Sequence, residues 1–125
     1  MKKIIETSDA PAPIGPYSQA VKHGGMLFVS GQIALDPATG EMDKADLVSE
    51  TKRVMSNIRA ILSANDMNFN HVLKTTIFLK DMNDFAQVNE VYGGYFINQH
   101  PARETVEVSR LPKDVNVEIS VIAGK

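Results

Sequence analysis

The sequence predicts a two-layer α+β domain, a mixed β-sheet with two helices on one face. Three observations lead there. Two stretches carry apolar residues at helical spacing, the flanking stretches are apolar-rich or alternate at period two, and the order along the chain reads β-β-α-β-α-β-β. At 125 residues the chain is read as a single domain, residues 1–125, with length for one two-layer core but not for two.

The opening MKKIIETSDAPAP has only two consecutive isoleucines and lacks a secretory apolar region. SDAPAPIGPYSQA is punctuated by proline and glycine and reads as an ordered loop. YSQAVKHGGMLFVSGQIAL holds two apolar-rich runs split by Gly24-Gly25, a hairpin signal because both glycines accept positive φ. DPATGE is a turn. From Asp46 the period changes: Leu47, Thr51, Val54, Met55, Ile58, Ile61 and Leu62 form one helical stripe, capped by Asp46 or Asp43. VLKTTIFLK then alternates, with Leu73, Thr75, Ile77 and Leu79 on one face and Val72, Lys74, Thr76 and Phe78 on the other. A second helix begins near Asn83 or Asp84 and carries Phe85, Val88, Tyr92, Tyr95 and Phe96 at helical spacing. Gly93-Gly94 inside it costs roughly 1 kcal/mol per glycine relative to alanine, so the backbone packs closely there or the helix weakens.

Two strands close the chain, RETVEVSRL and VNVEISVIA, and a turn through Pro112-Lys113 predicts an antiparallel hairpin. Pairing their apolar sets puts Arg103, Thr105 and Glu118 on one face, away from the helices, with Glu104 on the other. With Leu111 opposite Asp114, Glu118 lies opposite Glu107, and at ~3.4 Å per residue Arg103 is then well over 10 Å from Glu118. The two either line opposite ends of a pocket or meet across neighbouring copies of the chain. Two helices cover one face only. The other face, with Phe28 and Phe78, is expected to be covered by further subunits.

Composition narrows the chemistry. The chain has no cysteine, which excludes disulfides, thiolate catalysis and cysteine zinc sites and fits a reducing, cytoplasmic setting. No apolar run approaches the ~20 residues of a membrane span. A net charge of -2 with scattered lysines argues against broad electrostatic binding to nucleic acid as a partner and leaves open a local basic patch formed on folding or assembly. His23, His71 and His100 have no metal-ligand spacing, and no metal or cofactor is indicated. VSGQI lacks the first glycine of a nucleophile elbow.

Each candidate residue has two readings. Arg103 is an interface ion-pair residue or a fork for a carboxylate. Glu118 is a solvated carboxylate or, half-buried, a group that positions water. Tyr17 packs or donates its hydroxyl. Ser30 and Gly31 mark a bulge or a close approach of ligand to backbone. Asn89 is a helix-surface residue or faces a site.

Four segments go further: APIGPYSQA, VSGQIALDPATGE, KTTIFLKDMNDFAQVNEVY and PARETVEVSRLPKDVNVEISVIA. Together they resemble the RidA/YjgF family over almost the whole chain. The resemblance implies a chorismate-mutase-like fold assembled as a homotrimer with clefts between subunits. It also implies hydrolysis of reactive 2-imino or enamine acids, such as 2-aminoacrylate/2-iminopropanoate and 2-iminobutanoate, to 2-oxo acids and ammonia without a cofactor. Position by position it implies that Arg103 clamps the substrate carboxylate, the Thr105 amide assists, and Glu118 positions water. Tyr17, Ser30, Gly31 and Asn89 match positions lining the cleft. A residue usually small in the family is Glu104 here, and a frequent cysteine is Thr105. The same cleft in a regulatory protein would bind a small carboxylate without turnover. A ribonuclease reading has no histidine pair or metal site to rest on.

Overall fold

Local signals set the first helix. A computed structural model describes all residues, Met1–Lys125, and in it α1 spans Leu47–Ser63, with Asp46 at its N-cap accepting a hydrogen bond from the Ser49 amide at 2.7 Å. Such a cap is worth ~1 kcal/mol. Val54, Met55, Ile58, Ile61 and Leu62, all from the expected stripe, are buried. The second helix, α2, spans Phe85–Gly93, after a single tighter turn at Met82–Asp84. Gly94 caps it, so the glycine pair ends the helix rather than packing inside it. Nothing lies within 4 Å of where a Gly93 β-carbon would sit. Phe96 is buried from the turn beyond.

Six strands form one sheet: β1 Lys3–Ile5, β2 Ala20–His23, β3 Met26–Gln32, β4 Val72–Leu79, β5 Ala102–Glu107 and β6 Val117–Gly124. Their order across the sheet is β1-β2-β3-β6-β4-β5. The expected architecture holds, with one strand more than the sequence suggested: β1, three residues long, pairs with β2 as an edge. The hairpin at Gly24-Gly25 joins β2 to β3. Only Gly24 takes positive φ, 60°. A β-carbon on Gly25 would lie 2.7 Å from the Lys125 carbonyl, so that glycine answers to a close approach instead. No helix is long and apolar enough to cross a membrane.

The C-terminal hairpin does not form. β5 pairs parallel with β4, through Thr75–Arg103 and Ile77–Thr105. β6 lies between β3 and β4, antiparallel to both. A parallel pair needs a crossover, which α2 supplies between β4 and β5. The hairpin expectation assumed that Val106 belonged to the core face. On the edge strand Val106 is 41% exposed, and it faces away from the helices.

The facing of the site residues changes accordingly. Arg103 and Thr105 share the face of buried Thr75 and Ile77, the helix face. Glu118 pairs with Phe78 on the bare face. The expectation that Arg103, Thr105 and Glu118 share one face is therefore corrected, although Arg103 and Glu104 do point oppositely. A second parity shift comes from the irregularity between Val72 and Lys74. It buries Val72 and leaves Leu73, expected inward, 50% exposed.

One core joins the layers. Leu27, Val29, Ile77, Leu79, Val117, Ile119 and Val121 from the sheet meet the α1 stripe and Val88 and Tyr92 of α2. On the other side of the sheet Phe28, Leu73 and Val106 stay exposed.

Candidate functional site

The residues singled out from sequence fall into two groups on opposite faces of the sheet. The first is built on β5 and α2. Phe85, Asn89 and Tyr92 stand at i, i+4 and i+7, so one stripe of α2 presents two rings and an amide to the β5 edge. The Arg103 guanidinium lies 5.4 Å from the Phe85 ring centroid and 5.5 Å from that of Tyr92. Its Nη1 donates to Asn89 Oδ1. No carboxylate lies within ion-pair distance of it. The rings and the amide hold the fork in place at low entropic cost, and its charge is left without a carboxylate partner.

Tyr92 is itself fixed, donating from its hydroxyl to Thr75 Oγ1 at 3.0 Å. Burial raises its pKa above the usual 10.0, against the lowering effects of Thr75 and Arg103, which keeps it a neutral donor. A cleft of about 400 Å³ opens beside Arg103, lined by Asn89, Tyr92, Gly93, His100, Pro101 and Arg103. Thr105 sits deeper, its Oγ1 buried with no hydrogen-bond partner, next to Ile77, Leu79 and Phe85.

The second group is built on β3 and β6. The β3–β6 register runs Val29–Val121 and then Gln32–Ile119, so Ser30 and Gly31 together stand opposite Ser120. This is a bulge, and it also gives close approach: a β-carbon on Gly31 would lie 2.7 Å from Glu118 Oε2. The bulge reading holds, and the group that comes close to the bare glycine is the chain's own Glu118. The Ser30 hydroxyl donates to the Ser18 carbonyl at 2.6 Å, which fixes the Tyr17 loop against β3. Gln19 secures the same loop from the other side, donating to the carbonyls of Thr7, Ala10 and Pro11 and accepting from the Thr7 amide. Tyr17 is half exposed, and its hydroxyl accepts from the Ile14 amide at 3.4 Å. Glu118 is half-buried without a cation beside it, and burial raises its carboxyl pKa above the ordinary 4.5. A cavity of about 550 Å³ joins Tyr17, Ser30, Gly31 and Glu118 with Ile14, Ile33, Pro112 and Lys113.

Thus Tyr17, Ser30, Gly31 and Glu118 come together, and so do Asn89, Arg103 and Thr105, but the two sets do not meet within one chain. Glu104 lies on the Glu118 face, paired to Lys74 at 3.3 Å. Sequence reasoning missed Phe85 and Tyr92 as the platform for Arg103, because it assigned their stripe wholly to the core. The Phe85–Asn89–Tyr92 spacing carried the signal. It also missed Lys113, which nothing local marks as a cavity residue. No group of three or more histidine, cysteine or acidic side chains is placed to hold a metal ion.

Comparison with known proteins gives the family and the fold. The family model described as Endoribonuclease L-PSP matches residues 7–125. A RutC family protein from Pyrococcus horikoshii is 58% identical over 125 residues, covering 100% of this chain and 99% of that one. Among solved structures, the Rid family protein YyfA from Yersinia pestis is 47% identical with a TM-score of 0.97, covering 100% of both chains. TdcF from E. coli, solved with bound serine, is 45% identical with a TM-score of 0.94, covering 98% of each. By sequence over nearly its whole length, and by fold, this chain belongs to the RidA/YjgF family.

Proposed function

We propose that the protein hydrolyses reactive 2-imino acids and their enamine tautomers to 2-oxo acids and ammonia, in clefts between the subunits of a homotrimer. The observation that carries this reading is the division of the site. An unpaired, pre-oriented arginine stands on one face of the sheet and a half-buried acid on the other. Under this reading copies pack through the exposed apolar face, covering Phe28, Leu73 and Val106, and Arg103, carried on the edge strand β5, reaches towards Glu118 of the neighbour.

Arg103 holds the substrate carboxylate through two parallel hydrogen bonds, assisted by the Thr105 amide. Asn89, Phe85 and Tyr92 set the plane of the fork. The bulge at Ser30 and Gly31 makes room for the Glu118 carboxyl at the cavity, and Tyr17 closes the wall. Glu118 takes a proton from water as the water oxygen attacks C2 of the protonated imine. It returns that proton to the amino nitrogen of the resulting carbinolamine. The C–N bond breaks, nitrogen leaves with the electron pair as ammonia, and the hydroxyl proton is released as the carbonyl closes. A carboxyl whose pKa is raised by burial is better matched to taking and returning a proton near neutrality than an ordinary one. The carbon is already electrophilic, so orientation and proton transfer suffice.

A binding role without turnover draws support from the serine bound to the E. coli relative, since the Arg103 half can hold a carboxylate by itself. A trapping assay separates the two. Threonine dehydratase generates 2-iminobutanoate in the presence of semicarbazide, which captures the surviving imine. The deaminase reading expects the protein to suppress the adduct in proportion to its concentration. An adduct yield unchanged at every concentration sinks that reading and leaves the binding role.

A further inference from the structure

Three of the thirteen lysines and arginines gather around one of the fifteen acids, and a fourth is its neighbour in the chain. The acid is Asp114. Lys80 Nζ lies 2.9 Å from its Oδ1, and Lys44 Nζ donates to its carbonyl at 3.3 Å. Arg110 is near enough to lower the Asp114 pKa, behind the larger effects of Lys80 and the contribution of Lys44. Lys113 precedes Asp114 directly. All four cations are exposed. In a chain of net charge -2, the segment from Arg110 to Asp114 carries two cations and one acid, and Lys44 and Lys80 lie against it.

The backbone marks the same place. Lys113 and Asp114 both take left-handed conformations, at φ 53° and 55°. Two successive non-glycine residues in that region are strained, and glycine would adopt it freely. The turn instead keeps a charged side chain at each position, secured by the bonds from Lys80 and Lys44. An open groove runs along Arg110, Leu111, Pro112, Lys113 and Asp114. Pro112 and Lys113 also line the Glu118 cavity, so the cationic groove and the candidate site adjoin.

We propose that Lys44, Lys80, Arg110 and Lys113 form a capture site for small carboxylate anions at the rim of the Glu118 cavity, feeding them to Arg103. This rests on the imine-hydrolysis reading and deepens it. An imine in water has other fates, so its rate of encounter with the protein decides how much is intercepted. A concentrated positive field beside a cleft raises that rate for an anion, and salt screens it.

The test is kcat/KM for in situ 2-iminobutanoate across ionic strength, using the parent, Arg110→Gln/Lys113→Gln, and Lys52→Gln. Lys52 is an exposed lysine of α1 outside the cluster. The parent should lose about three- to tenfold between low salt and roughly 0.5 M. The double variant should start lower by a similar factor and show a flatter dependence, the two converging at high salt. Lys52→Gln should track the parent. A double variant whose salt dependence equals the parent's overturns the capture site. Should the parent show no turnover, the hydrolysis reading fails by itself. The capture site is then judged by nuclear magnetic resonance titration with 2-oxobutanoate: salt-sensitive binding weakened by the double variant supports it, and equal binding overturns it. Salt-dependent binding of a short single-stranded RNA, with none of 2-oxobutanoate, also overturns it.

Discussion

The Arg103 half and the Glu118 half of the candidate site solve opposite problems. Arg103 stands exposed on an edge strand, where side-chain freedom is the cost, and two rings and an amide from α2 restrain it. Glu118 stands in the middle of the sheet, where desolvation is the cost, and a bulge with a bare glycine makes room for it. A cation left unpaired and an acid left without a cation, on two faces of one sheet, have no means of meeting inside a single chain. Each half is finished locally and by different means, and under the proposed function the two become one site only between copies.

The largest effect expected is on the cationic half. Arg103→Ala should lower imine hydrolysis by at least about a hundredfold, the scale of losing a preorganised charged donor. The fold and the oligomer should be unchanged by circular dichroism and sedimentation. Turnover within a few-fold of the parent would remove Arg103 from the chemistry.

The other half breaks more gently. Gly31→Ala places a carbon 2.7 Å from Glu118 Oε2 and 3.0 Å from its Cδ, so the carboxylate must shift. A displaced catalytic group costs about ten- to a hundredfold. Turnover should fall while the affinity for 2-oxobutanoate, held by the distant Arg103, changes little. An equal loss in both would mean that the bulge shapes the whole cleft and not the acid alone.

A third prediction concerns pH. Burial raises the Glu118 carboxyl above 4.5 in the folded chain. The folded state therefore holds that proton more tightly than the unfolded chain does. The stability Glu118 contributes is fully present below pH 4.5 and is lost as pH rises through the folded value. Glu118→Gln cannot ionise, so its Tm should fall less with rising pH above 4.5 than the parent's. Parallel curves over the whole range would show that burial does not disturb this carboxyl.

The smallest effect belongs to Glu104, which points to the face away from Arg103 and pairs with Lys74. Exposed pairs contribute little, and Glu104→Ser should leave apparent substrate affinity within about twofold. Markedly tighter binding would reveal a carboxylate competing for the guanidinium.

What the sequence made legible was local. The α1 stripe and its Asp46 cap can be read because every residue that decides them lies within a few turns of the chain. The Gly24-Gly25 hairpin is legible for the same reason. The position of β5 is not, since nothing in Ala102–Glu107 says whether the neighbour is β6 or β4. Edge strands blur parity further: Val106 looks like core and lies on the exposed apolar face. One extra residue flips a face, as at Leu73, and only pairing partners reveal it. The candidate site shows the same limit. Motif resemblance named all seven residues, but their separation into two groups depends on β5 having joined β4.

Mixing two differently disabled chains asks whether one site draws on two copies. Arg103→Ala and Glu118→Gln subunits, each expected to be inactive alone, are combined under conditions that let subunits exchange, with exchange followed by mass spectrometry of the assemblies. If one copy supplies the arginine and its neighbour the acid, equal mixtures should recover about a quarter of parental activity, the fraction of interfaces holding both intact residues under random assembly. No recovery despite demonstrated exchange would contradict a site shared between copies.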